Sequence, residues 1–128
     1  MLNRTGIKKE TAGAPVQILF NVQNQMSVSI RVDDAVAVTE NGRKLVKAGT
    51  PLNGDLTARN TAFKAAADTT APAVGVLLHD VDVTDGDANG SLLIWGFVNL
   101  DRLDTATAAL ITANRKSELA GRVWFLKD

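Results

Sequence analysis

The sequence predicts a mainly β domain: a small barrel-like or tulip-like fold with one C-terminal helix and an N-terminal arm. Three observations carry this. Apolar residues alternate with polar ones in several short runs, the period of strands with one buried face. Turn signals punctuate those runs, Asn41-Gly42 the strongest of them. Only the stretch after Asp104 has both the length of a helix and the residues that cap one. A chain of 128 residues fits a single domain whose core needs neither disulfide nor metal.

The elements follow in order. Residues 1–14 mix Gly, Thr, Lys and Ala without a period and read as an arm, closed by Pro15. The rest, 15–128, reads as one β-rich domain. Val16, Ile18, Phe20 and Val22 alternate with Gln17, Leu19, Asn21 and Gln23. Met26, Val28, Ile30 and Val32 repeat the pattern after Gln23-Asn24-Gln25, so 16–32 reads as a hairpin added to a compact core at 35–128. Short strands at 36–38 and 43–47 flank Asn41-Gly42. Ala48-Gly49-Thr50-Pro51 ends the second strand, Asn53-Gly54 marks a further turn, and the Ala- and Thr-rich 57–70 leaves room for one helical turn.

Residues 74–83 read as one strand, with Val74, Val76 and Leu78 on one face and Gly75, Leu77 and His79 on the other. After a loop at 84–90, residues 91–100 form the most apolar stretch and close a hairpin with it. A helix capped by Asp104 or Thr105 runs to about Ala120, with Gly121 as its C′ residue. Ala106, Leu110, Ala113 and Ser117 share one face of that helix. A last strand covers 123–126.

The composition excludes several kinds of chemistry. Fourteen basic and fourteen acidic residues cancel, which removes the basic signature of a nucleic-acid binder. With no Cys there is no thiolate catalysis, Cys-ligated zinc or iron–sulfur cluster. One His leaves no multi-His metal site within a subunit. No apolar run reaches the length of a membrane span or follows the basic start as a signal peptide would, so export and a membrane partner are not expected. The charge is uneven: residues 1–47 hold seven basic and four acidic groups (net +3), residues 48–104 three and eight (net −5). This reads as ordinary solvated surface.

The remaining constellations are weak. Asp85-Gly86-Asp87-Ala88-Asn89-Gly90 matches the first half of a calcium loop, but the twelfth position, which should be Glu, is Gly96. It reads as a polar hairpin loop. Asp80 and Asp82 share a strand face with no Lys, Arg or oriented base nearby in sequence, and His79 lacks the partners of a catalyst. The basic cluster Arg43, Lys44 and Lys47 has no interleaved aromatics. Trp95 and Phe97 share one strand face, fit for core packing or for a subunit interface. No cofactor, metal or catalytic residue is expected.

Three segments in series carry a resemblance: Ala48-Gly49-Thr50-Pro51-Leu52, then Ala73-Val74-Gly75-Val76-Leu77-Leu78, then Gly96-Phe97-Val98-Asn99-Leu100-Asp101-Arg102-Leu103. Their order resembles that of the head decoration and head fibre proteins of tailed bacteriophages, including the lambda-type capsid decoration protein. The likeness covers roughly 35–128 and departs at 16–32. It implies a non-enzymatic structural virion protein on the outer capsid surface, made in the bacterial host cytoplasm. Its partner would be the major capsid protein, and it would act as a homotrimer at symmetry positions. A tail or baseplate subunit is the alternative. On that basis the arm residues Leu2, Arg4, Ile7, Lys8 and Lys9, with Phe20 and Met26, are candidate capsid contacts. Trp95 and Phe97 are the candidate subunit interface.

Overall fold

A computed structural model describes residues 17–20, 23–34, 37–67 and 70–128. The chain is mainly β. Its strands are β1 (Met26–Val32), β2 (Val38–Glu40), β3 (Arg43–Val46), β4 (Pro51–Asn53), β5 (Lys64–Ala65), β6 (Gly75–Leu77), β7 (Val81–Asp82), β8 (Ala88–Asn99) and β9 (Val123–Leu126). They form two sheets that do not close on themselves. One has the order β1-β8-β6-β4-β5 with β9 also on β8; the other is β2-β3-β7.

The twelve-residue β8 is the hub. Its first half pairs antiparallel with β1 and with β6. Its second half pairs parallel with β9, from Gly96↔Val123 to Asn99↔Leu126. Gly75 sits where β6 meets it, and a Cβ there would lie 2.5 Å from the Leu93 carbonyl oxygen. The strand pair can approach this closely only because position 75 has no side chain.

Four sequence expectations change. The first is the hairpin at 16–32. β1 forms as expected, but its partner is β8, in register from Met26↔Trp95 to Val32↔Ala88. Leu19 bridges to Val98 further along the same strand, and the Phe20 N–H donates to the Phe97 carbonyl at 2.7 Å. Both segments line up on β8, the longest apolar template available. Ile18 and Leu19 are both buried, so this segment has no single inner face.

The second is the strand at 74–83, which breaks at 78–80 and serves both sheets. Val76, Leu77 and Leu78 are all buried, because β6 is covered on both faces: Val76 and Leu78 pack in one core cluster and Leu77 in the other. Asp80 Oδ1 accepts from the Ala48 N–H at 2.7 Å and holds the bend. His79 lies exposed on it. Third, among the described residues 57–70 holds no helix; the chain turns, buries Phe63 completely and forms β5. The Asn41-Gly42 hairpin is as expected, with both residues at positive φ (53° and 77°), though its first strand lies two residues later than read.

The fourth is the C-terminal helix, which is two short ones, α1 (Thr105–Ala108) and α2 (Ala113–Glu118). The Thr112 side chain caps the second; its C-cap is Leu119, so Gly121 lies one position beyond C′, at positive φ in the turn that leads into β9. The face shared by Ala106, Leu110, Ala113 and Ser117 is exposed. The buried stripe is instead Leu103, Thr107, Ile111, Arg115 and Leu119, at steps of four. A threonine and an arginine interrupt its apolar pattern.

Arg115 is the reason the stripe can include a charge. Its Nη1 donates to the Ala67 carbonyl at 2.7 Å, and its Nη2 pairs with Glu118 at 3.2 Å. Glu118 in turn accepts from the Ala73 N–H at 2.8 Å. The pair therefore stitches α2 to the chain at 67–73, with its polar atoms satisfied. Apolar packing supplies the rest. One core cluster gathers Leu19, Val76, Leu93, Val98, Ile111 and Leu119, and a second gathers Ile30, Val46, Leu52, Phe63, Val81 and Leu92.

Candidate functional site

Alternation along β8 determines what the molecule shows to solvent. Gly96 and Val98 face the core, so Trp95 and Phe97 must face out. The parallel register of β9 sets Trp124 beside Phe97. Met26 lies opposite Trp95 on β1, and Phe20 approaches from the other end of the same edge. The result is one outward face carrying Trp95, Phe97, Trp124, Met26 and Phe20, with exposed Leu126 at its end. Met26 is 60% exposed, Phe20 47% and Trp95 40%. None of these side chains is charged.

The rings brace one another. Phe97 and Trp124 stack at 5.0 Å and 20°, while Trp95 meets both edge-to-face, at 5.8 and 5.6 Å. A centroid spacing of 5.0 Å is close to the ~4.8 Å between neighbouring strands, so Phe97 and Trp124 stack across the β8–β9 ladder. Together these side chains form one uncharged row, the aromatic ridge.

The sequence reading assigned Phe20 and Met26 to one role and Trp95 and Phe97 to another. The structure places all four on one ridge. Leu2, Arg4, Ile7, Lys8 and Lys9 lie outside the described residues. Trp124 went unassigned because its membership depends on the β8–β9 register, which a four-residue strand does not reveal. Its exposed parity matches that of Trp95 and Phe97 only once that register is known.

The acidic residues are occupied elsewhere. Asp82 accepts from the Thr84 hydroxyl and N–H and pairs with Arg43, and these bonds hold its carboxyl down at about 2. Asp80 pairs with Lys47 at 3.5 Å. Burial pulls the Lys47 ammonium down, but the nearby charges of Asp80 and Glu40 outweigh it and its pKa is raised. β3 and the residue that follows it thus supply the cations that sequence proximity did not show. A carboxylate held ionised in this way is a poor general acid.

The loop read against a calcium site brings together a different set. Asp87 meets Asp33 and Asp34, while Asp85 is not among them. Lys64 pairs with Asp33 at 2.8 Å and Lys44 with Asp34 at 3.8 Å, so cations of the chain itself already face this cluster.

On another face lies an open cleft of about 760 Å³. Val38, Leu45, Pro51, Ala65, Ala106 and Leu110 give it a mostly apolar lining, with Lys47 and Asp104 also at its wall. It runs between the edge strands β2 and β5 and the two helices, and it shares no residue with the ridge. Among the described residues no helix is long and apolar enough to cross a membrane. Compared with known proteins, the chain matches no family model, no curated protein and no solved structure.

Proposed function

We propose that the protein is a non-enzymatic structural component of a phage virion, bound to the outer surface of the capsid at its symmetry positions. Its partner in this reading is the major capsid protein, and it acts as a homotrimer. The observation that supports this most is the ridge. A protein without net charge that presents an uncharged row of braced aromatic side chains has the chemistry of an interaction surface. The acidic residues that an enzyme could use are tied into ion pairs, which favours a binding role over a catalytic one.

The physical logic is multivalency. A shell component that contacts several coat subunits at once is held tightly even when each contact is modest. Closed symmetry gives every copy the same environment. Selective binding to the expanded shell stabilises that shell by mass action. In this division of labour, residues 1–14 reach the coat and the ridge serves contacts within the assembly.

The test is co-sedimentation with expanded, empty heads of the cognate phage, using the full chain and a variant lacking residues 1–14. Saturable binding by the full chain, lost in the truncation, is expected. Absence of binding by the full chain overturns the reading and favours a tail or baseplate subunit. Unchanged binding by the truncated chain removes the arm from the contact.

A further inference from the structure

We infer that the chain associates head to tail, with the aromatic ridge of one copy seated in the apolar cleft of the next. The ridge is uncharged, built from exposed Trp95, Trp124 and Met26 with the half-buried Phe97 between them. The cleft is concave, about 760 Å³, and lined by small and aliphatic side chains. That volume is within the range of sites that enclose a drug-sized molecule, so it has room for aromatic side chains. Interface cores pack as densely as protein interiors, so large projecting side chains are best buried in a hollow. The complementary hollow is on the same chain.

The surface chemistry suits a protein occupant. Aromatic side chains and Met are enriched in protein interfaces, and Phe97 and Trp124 already cover part of each other's ring faces. The charges also permit self-association. The chain is neutral overall, so copies approach without net repulsion. Asp104 at the cleft wall and Lys127 at the end of the ridge make no ion pair among the described residues.

Area sets the scale. At about 100 Å² of exposed surface for each large side chain, the ridge offers roughly 500 Å². A standard interface takes about 800 Å² per partner. The ridge is therefore the core of such an interface, and the cleft walls must close around it to supply the rest. Because ridge and cleft share no residue, one copy can engage a neighbour on each side. The contact is heterologous: it closes into a ring where the rotation allows and otherwise continues as a filament.

This inference supplies the joint that the trimer in the proposed function needs, but its test uses the isolated chain. Its failure therefore leaves capsid binding to the sedimentation experiment above. The measurement is molar mass by light scattering and analytical ultracentrifugation at about 100 μM, above the affinity of weak specific interfaces. The full chain is expected to associate. The double variant Trp95→Ser/Trp124→Ser, which loses the ridge, and Ala106→Trp, which fills the cleft, are each expected to be monomeric.

Mixing the two variants is the decisive arm. One keeps an open cleft and the other an intact ridge, so the mixture should form a 1:1 dimer and grow no further. A full chain that stays monomeric overturns the inference. So does assembly of Ala106→Trp to the size of the unmodified chain, which means ridge packs on ridge. A mixture that remains monomeric overturns it as well. Circular dichroism and melting verify that each variant folds, and Leu110→Lys, with a charge in the exposed cleft wall, replaces Ala106→Trp if that variant does not.

Discussion

The six-stranded sheet is held by apolar burial, and the three-stranded sheet by paired charges. In the first, Val76, Leu77, Leu92, Leu93 and Val98 are completely buried, and β8 is gripped on both edges. In the second, β2 is exposed along its whole length, and only Val46 and Val81 reach the core. Its remaining support is ionic: Arg43 with Asp82, Lys47 with Glu40 and Asp80, and Lys44 with Asp34. Exposed pairs of this kind contribute little. The difference locates the stability of the molecule in the large sheet, the same sheet that carries the ridge. A rigid base suits a surface whose job is to hold its shape on contact.

The sharpest test sets one ion-pair chemistry in both environments. Arg115 is buried and Glu118 is largely covered, with side chains 6% and 17% exposed, whereas Arg43 and Asp82 are far more open. Arg115→Ala strands Glu118 and the Ala67 carbonyl inside the fold. It should cost about 3–5 kcal/mol, the loss typical of breaking a buried pair. Urea unfolding measures it. A loss no larger than that of Arg43→Gln would break the comparison, because the pair would then be worth the same wherever it sits.

A smaller effect is expected in the turn of the minor sheet. Gly42 has φ 77°, and a Cβ there would touch nothing within 4 Å. Gly42→Ala therefore costs only the left-handed backbone conformation, about 1–2 kcal/mol. If the minor sheet is a weak cover, the loss should appear first as faster amide exchange in β2 and β3, with β8 unaffected. Equal loss of protection in β8 would mean that the two sheets unfold as one.

These contrasts also explain what the sequence made legible. Local signals were readable: Asn41-Gly42 specified its own turn, Gly121 marked the turn between the last helix and β9, and alternation put Trp95 and Phe97 on one face. Signals that depend on a distant partner were not. Nothing in residues 16–32 says that β8 outcompetes the neighbouring segment as a partner. The apolar run at 74–83 hides a change of sheet, because its bend is held by Asp80 on the Ala48 N–H, thirty-two residues away. The buried helical stripe is hidden because one of its members is Arg115, whose partners lie on the segment 67–73 and on Glu118. Trp124 joined the ridge only through the register of β9. Whatever is decided by one segment choosing another stays invisible to a period count.

The smallest effect expected at neutral pH becomes the clearest in acid. The Asp82 carboxyl is held at about 2 by the Thr84 hydroxyl, by Arg43 and by the Thr84 N–H, against about 3.9 for an Asp in an unfolded chain. Because the folded pKa is the lower one, the support that Asp82 gives is complete above about pH 4 and is lost as pH falls through about 2. The bonds around it tie β3 to β7: Lys44 donates its N–H to the Thr84 hydroxyl at 3.0 Å, and Val83 donates to the Lys44 carbonyl at 2.8 Å. Between pH 4 and 2, amide exchange in β3 and β7, corrected for its intrinsic pH dependence, should accelerate relative to β8. Asp82→Asn should flatten that dependence by removing the titrating group. Parallel loss in β3 and β8 over this window would place the acid-sensitive group elsewhere.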